Sequence, residues 1–269
     1  MKMEQDTEFY IGWQAEAPPA FARAVRRFVI CLCLLVPAVA LLIVAFQSGF
    51  SGGTFEYGKT TTLEGTFSRS PVPFLTIEDG KDASGKPVLQ KILLVGPGKS
   101  GFDAKESNRA LQNGEHIKAT GFLIYHDGKT GLQTELVEKQ PFEYPDQSTA
   151  SGQQLGVVTL RGEITDPKCL LGVMKPGQGK PHRDCAVRCI AGGIPPVLKV
   201  ANAEGETEYY LLAGPNGEPA NDRVLDYVGD GVQVCGNLAL EGDWLVLYAD
   251  FSTIQRIHKE SLNPGTRCN

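Results

Sequence analysis

The feature that most constrains this chain is an uninterrupted apolar run near its N-terminus, from Phe28 to Phe46. At a rise of about 1.5 Å per residue, a helix of this length matches the ~30 Å hydrocarbon core of a bilayer. The run contains no charged side chain. It therefore predicts a transmembrane helix, which we assign to residues 28–47, as the part of the chain that contacts the lipid bilayer.

The basic residues near this run lie on its N-terminal side: Arg23, Arg26 and Arg27 precede it, and the next basic residue is Lys59. The positive-inside rule therefore places residues 1–27 in the cytoplasm. A cleaved signal peptide is the alternative, but it would need an unusually long charged region, and no A-x-A-like site follows the run. We expect an uncleaved single-pass anchor in a bacterial inner membrane, with the bulk of the chain in the periplasm.

Two segments rich in small, polar and proline residues divide the remainder into two blocks. Residues 48–60 are predicted to form a first linker and residues 140–154 a second. They bracket blocks at 61–139 and 155–258, and residues 259–269 form a tail.

Each block repeats one order of elements: three short strands, a helix and two more strands. Local sequence repeats as well, since Leu93–Pro97 matches Leu211–Pro215, and Asn113–Gly121 resembles Val228–Gly236. This order is typical of a five-stranded Greek-key barrel of the oligonucleotide/oligosaccharide-binding (OB) type. We predict a mainly β chain, with one N-terminal transmembrane helix and two OB-like five-stranded barrels.

The predicted strands are Leu63–Ser68, Phe74–Glu78, Val88–Val95, His116–Tyr125 and Leu132–Glu138 in the first block, and Val157–Thr165, Val197–Ala201, Glu208–Ala213, Val232–Leu240 and Trp244–Ala249 in the second. The predicted helices are Phe102–Leu111 and Asn221–Val228, with Asn221 as the N-cap of the latter.

The blocks differ in the connection between their first two strands. It is short in the first block, residues 69–73, but runs through residues 166–196 in the second. A loop of that length is usually functional or disordered. We expect this insertion to be a graft on the second barrel, which would fold without it.

The insertion carries a group of metal-ligating residue types. Pro181 and the Gly192-Gly193 pair predict a helix between them. Its positions i, i+3 and i+7 share one face and are His182, Cys185 and Cys189.

Cys169 is expected to fold back over this face, because the Asp166-Pro167 turn precedes it. One imidazole and three thiolates are enough for a four-coordinate site that holds Zn²⁺ or another thiophilic metal. Asp166 is expected to accept a hydrogen bond from the imidazole of His182.

Disulfides are the alternative for these cysteines, because an exported chain meets an oxidising compartment. A bond between Cys235 and Cys268 would leave the three thiols of the insertion. Within the insertion, Cys169 would then bond to Cys185 or Cys189. The sequence leaves metal binding and disulfide formation open.

Other chemistries lack their motifs. The Gly96–Ser100 segment resembles part of a phosphate loop, but the first glycine of that motif is missing, and we interpret the segment as a turn. No c-type haem, thioredoxin-like or hydrolase motif occurs, so we assign no catalytic residue and favour a non-enzymatic role, with an enzyme left open. Lys plus Arg is 26 against 31 for Asp plus Glu, a net charge of −5, which we interpret as excluding a nucleic-acid partner.

The segments Gly162–Cys169, His182–Cys189 and Gly192–Pro196 together resemble a group of mostly uncharacterised bacterial exported proteins. That group carries a D-x-x-C…H-x-x-C-A-x-x-C…G-x-P signature ahead of a small β-barrel, and the resemblance covers about residues 157–257. The anchor with its barrel also resembles the haem chaperone of cytochrome c maturation, whose haem-binding H-x-x-x-Y motif is absent here.

Three functions follow from these patterns. The first is a non-catalytic accessory or scaffold subunit of a larger membrane complex in respiratory or photosynthetic electron transfer, with other membrane subunits as partners. The second is a periplasmic module that binds a metal or redox cofactor through the insertion. A thiol-dependent enzyme is the third and has the weakest support, because no base–nucleophile pair is recognisable.

The charge asymmetry predicts the topology. An alkaline phosphatase reporter fused after Leu262 is expected to be active, because the arginines before the apolar run keep the N-terminus in the cytoplasm. A fusion placed before Phe28 is the inactive control. An inactive Leu262 fusion, or a mature protein that begins near Ser48, would contradict this topology.

Overall fold

The computed structural model describes residues 17–46, 52–103, 111–141, 152–201 and 206–257. The chain divides into two compact units, Met1–Gly49 and Phe50–Asn269.

The first unit contains one helix, α1 (Pro19–Phe46), which has 28 residues. Its mean hydropathy is 3.1 over 18 residues, so it is long and apolar enough to cross a bilayer. A signal sequence near an N-terminus passes the same test of length and composition. The helix begins before the predicted span of 28–47, so the three arginines lie in its first turns.

The second unit contains two closed β-barrels. The strands of the first barrel are β1 (Thr54–Ser68), β2 (Phe74–Lys81), β3 (Pro87–Val95), β4 (His116–His126) and β5 (Lys129–Lys139). Those of the second are β6 (Gln153–Thr165), β7 (Val197–Ala201), β8 (Thr207–Ala213), β9 (Gly231–Glu241) and β10 (Trp244–Arg256).

Both barrels have the same topology. The first closes in the order β1-β2-β3-β5-β4, and the second in the equivalent order β6-β7-β8-β10-β9. In each, the third and fifth strands pair in parallel, as β3 with β5 and β8 with β10, and the other pairs are antiparallel. The predicted fold class, a mainly β chain with two OB-like five-stranded barrels after one apolar helix, is confirmed.

The predicted linkers are too long. β1 begins at Thr54, inside the predicted linker 48–60, and β6 begins at Gln153, inside the predicted linker 140–154. The Thr, Phe and Tyr residues of the first linker favour a strand. Thr54, Phe55 and Thr60 pair with β4, with an irregularity between Phe55 and Thr60. Residues 142–151 and the predicted tail beyond Ile257 lie outside the described part of the chain, as do residues 104–110 of the first predicted helix.

The second predicted helix is shorter than expected. α-Helical structure covers Asn221–Val224, and a 3₁₀ turn follows at Leu225–Tyr227. Asn221 does not cap it, because the N-cap residue is Ala220. The Asn221 amide instead donates hydrogen bonds to the carbonyls of Ile190 and Ile194, at 2.7 and 2.8 Å. It therefore fastens the end of the insertion to the second barrel.

The insertion forms three short helical pieces. A π-helical turn covers Cys169–Val173, a 3₁₀ turn covers Lys180–His182, and the helix α2 covers Arg183–Ala191. Much of this segment is buried, including Leu170, which is 2% exposed.

One apolar core joins the two barrels and the insertion. It contains buried residues from the first barrel, the second barrel and the insertion, among them Phe74, Leu93, Trp244, Val246, Cys169, Leu171, Cys189 and Ile194. The expectation that the insertion is a separable graft is therefore wrong. Its side chains fill the space between the barrels, and removing them would expose apolar surface on both.

Polar contacts reinforce the same interface. The indole of Trp244 donates a hydrogen bond to the carbonyl of Lys91 at 2.9 Å, and the Lys91 ammonium pairs with Glu241 at 2.9 Å. On another part of the interface, the Tyr209 hydroxyl donates to Asp127 at 2.8 Å. Because these bonds cross between barrels, we expect the second unit to unfold as one cooperative body.

Replacing Trp244 by Ala tests this expectation. The indole is fully buried and lies 6.1 Å from the Phe74 ring, centroid to centroid, so its loss is expected to cost about 3–5 kcal/mol. Thermal unfolding of the full chain should show one transition, shifted to lower temperature. Val157→Ala, at a side chain that is 62% exposed, is the control. Two separate transitions would contradict a common core.

Candidate metal centre

The site begins at an aspartate that fixes two of its members. The Asp166 carboxylate accepts a hydrogen bond from the backbone N–H of Cys169 at 2.8 Å, in the manner of a helix N-cap, and Pro167 follows in the first turn. Its other oxygen lies 3.0 Å from His182 Nε2. Both side chains are buried. Asp166 therefore holds the turn that carries Cys169 against the imidazole.

Three thiols, including that of Cys169, form a cluster. The helix α2 presents Cys185 and Cys189 one turn apart, and the π-helical turn brings Cys169 beside them. The three sulfur atoms lie within 4.8 Å of one another. Cys169 and Cys189 are buried, whereas Cys185 is partly exposed.

His182 belongs to a second, overlapping group. The ligand atoms of Asp166, Cys169 and His182 lie within 4.8 Å of one another. The structure therefore does not bring all four predicted ligands into one such group, although Cys169 is common to both. His182 lies in the 3₁₀ turn that precedes α2, and its imidazole meets Asp166 at 3.0 Å.

Two lysines that were not predicted from the sequence complete the site. Lys99 donates a hydrogen bond to the Cys185 sulfur at 2.8 Å. Lys168 is buried, and its ammonium donates to the carbonyls of Gly96 and Gly98 at 2.8 and 2.7 Å. Because Gly96–Ser100 belongs to the first barrel, that barrel supplies part of the site.

The turn that carries Lys99 lies against the end of α2. Gly101 N–H donates to the Gly192 carbonyl at 2.8 Å. A Cβ atom on Gly192 would lie 2.0 Å from the Lys99 carbonyl oxygen, so only glycine permits this approach. In the sequence, the only sign of this role is a lysine in the glycine-rich Gly96–Ser100 segment, which was predicted to be a turn.

The thiols influence one another's ionisation. The hydrogen bond from Cys169 lowers the pKa of Cys189, and the same bond, together with burial, raises the pKa of Cys169. Within the pair, Cys189 is therefore the more acidic thiol and Cys169 the hydrogen-bond donor. The hydrogen bond to Cys185 raises the pKa of Lys99, and burial lowers the pKa of Lys168.

This arrangement can hold a thiophilic metal ion. Zinc–thiolate bonds of about 2.3 Å place the sulfurs of a tetrahedral site about 3.8 Å apart, which small side-chain movements reach from the observed grouping. Cys169, Cys185 and Cys189 are free thiols. Cys235 is disulfide-bonded, and Cys268, its predicted partner, lies outside the described residues.

Comparisons with known proteins find similarity only among solved structures. No protein-family model matches the sequence, and no curated protein is significantly similar to it. One match is the wild-type single-stranded DNA-binding protein from Thermus aquaticus. It covers 79% of this chain and 97% of the matched chain, at 17% sequence identity and a TM-score of 0.23. The match to a deletion mutant of that protein covers 79% of this chain and 98% of the mutant chain, at 18% sequence identity and a TM-score of 0.22. Similarity at this level assigns no ligand.

The predicted absence of a nucleic-acid partner is contradicted. The two solved structures named above are of single-stranded DNA-binding proteins. Net charge sums over the whole chain, whereas phosphate binding depends on the local potential of one face. The exclusion is withdrawn.

Exposure predicts the order in which the thiols react. In the reduced full chain in detergent, treated with a chelator, iodoacetamide is expected to modify Cys185 before Cys169 and Cys189, which are 3% and 2% exposed. Peptide mass spectrometry at successive times measures each rate. In denaturant the three rates should converge. Equal rates in the native chain would contradict the described burial.

Proposed function

We propose that this chain is a membrane-anchored module that binds one thiophilic metal ion through Cys169, Cys185 and Cys189. The observation that carries the proposal is the grouping of three free sulfurs within 4.8 Å, contributed by two segments of one insertion. Thiolates are the ligands that soft and borderline metals prefer.

The surroundings stabilise ionised thiols, which are the form that binds a metal ion. Grouped thiolates repel one another in a partly buried place, and the ammonium groups of Lys99 and Lys168 offset part of that charge. The buried Asp166–His182 pair orients the Cys169 turn, as outer hydrogen bonds commonly do around metal ligands. Cys169, Cys185 and Cys189 would hold the ion, and the charge of the ion would in turn stabilise their thiolates.

The cellular setting is part of the proposal. The anchor is uncleaved, the N-terminus is cytoplasmic, and the metal module lies in the periplasm of a bacterial inner membrane. The assignment to the exported proteins with the D-x-x-C…H-x-x-C-A-x-x-C signature also belongs here. Membership of a respiratory or photosynthetic complex, as a non-catalytic subunit, stays a prediction.

Metal binding by the full chain in detergent tests the proposal. We expect one equivalent of Zn²⁺ or Cd²⁺ per chain by elemental analysis, and sulfur-to-metal charge-transfer absorption with Cd²⁺. Replacing Cys169, Cys185 or Cys189 by Ser should weaken binding at least 100-fold, because each replacement removes one ligand. His182→Ala should weaken it by about tenfold to 100-fold, because it removes only an orienting contact.

The chain offers a matched control in its anchor. Cys31 and Cys33 lie in α1, and their double replacement by Ser is expected to leave metal content unchanged. Zinc content that persists in the Cys185→Ser and Cys189→Ser variants would contradict the proposed site. A disulfide between Cys169 and either helix cysteine in the protein as isolated would contradict it as well.

A further inference from the structure

We infer that Lys99 makes the three-thiol site selective for a soft, three-coordinate ion of low charge, of the Cu(I) class, over a divalent ion that needs a fourth ligand. This inference rests on the proposed function and adds the class of ion and a residue that determines it.

Lys99 lies beside the partly exposed member of the thiol triad. Its ammonium donates to the Cys185 sulfur at 2.8 Å, and it interacts electrostatically with Cys169 and Cys189 as well. Cys185 is the partly exposed member of the triad, whereas the other two sulfurs are buried. The ammonium therefore stands at the side from which solvent, or a fourth ligand, would approach the ion.

The candidate donors for a fourth metal ligand are already hydrogen-bonded. Among the His, Asp and Glu side chains that the structure describes, His182 and Asp166 group with Cys169, and they are already joined to each other at 3.0 Å. Asp166 also accepts the Cys169 backbone N–H. Recruiting either would break a buried hydrogen bond, which costs about 1–3 kcal/mol. Three sulfurs without a fourth donor suit Cu(I), whereas Zn²⁺ in structural sites takes four ligands.

The charge of the Lys99 ammonium also favours a monovalent ion. A fixed ammonium beside the site repels a bound cation, and the repulsion is twice as large for a divalent ion as for a monovalent one. Lys99 is held in place rather than free, because the carbonyls of its turn are bound by Lys168, and its backbone packs on Gly192. Its position in an exposed turn reduces the effect by solvent screening but does not reverse its sign.

The experiment compares two affinities in the same chain. Full-length protein in detergent is titrated with Cu(I) under anaerobic conditions and, separately, with Zn²⁺, each against a competing chelator. The ratio of the Zn²⁺ to the Cu(I) association constant is then compared among variants. Both ions are expected to displace the protons of the same three thiols, which the pH dependence of each affinity measures, so a change in thiol acidity cancels in the ratio.

We expect Lys99→Gln to raise this ratio roughly tenfold, because it removes the charge, and Lys99→Arg to leave it within about twofold. Lys59→Gln is the control for loss of a lysine charge elsewhere on the surface. The Lys59 side chain is 72% exposed and pairs with Glu56, so its replacement should leave the ratio unchanged. X-ray absorption of the Cu(I) protein should show three sulfur ligands and no nitrogen.

Two outcomes would overturn the inference while leaving the proposed function intact: a ratio that Lys99→Gln does not move, or a bound ion that takes His182 as a fourth ligand. If neither ion binds the wild-type chain, the proposed function itself fails, and the inference fails with it.

Discussion

The apolar core between the two barrels is the contact on which the rest of the structure depends. Phe74 of the first barrel packs against Trp244 of the second, and buried residues of the insertion complete the same core. Burial of such surface is the main favourable term in folding. An OB-like barrel normally buries its own interior, but here each barrel also covers an outer face of its neighbour.

This core decides the chemistry of the thiol cluster. Cys169 and Cys189 are members of the shared core, so their sulfurs lie in a poorly solvated place where one thiol donates to the other. Cys185 lies at the boundary of that core and meets Lys99 from the first barrel. The site is therefore a property of the barrel pair, because the second barrel alone contains the thiols but lacks the lysine.

The sequence predicted the fold well because the signals for it are local. Apolar residues alternate within each strand, Asp127-Gly128 and Glu241-Gly242 favour hairpin turns, and the two blocks repeat one order of elements. Boundaries were less accurate, since Thr54 and Phe55, which the sequence placed in a linker, pair with the distant strand β4. The role of Asn221 was missed for a related reason: its amide partners, at Ile190 and Ile194, are distant in sequence.

By itself, the sequence determined the apolar helix, the two barrels and the set of residues that meet in the insertion, because periodicity and spacing act over a few residues. The Asp166–His182 hydrogen bond was also predictable from the sequence. Only the tertiary structure decided that His182 is not grouped with all three thiols, and that Lys99 reaches Cys185 from a turn 86 residues away. The tertiary structure also placed residues of the insertion in the apolar core between the barrels. Such contacts arise when separate elements exclude water together, and no local pattern in the chain encodes which side chains then face one another.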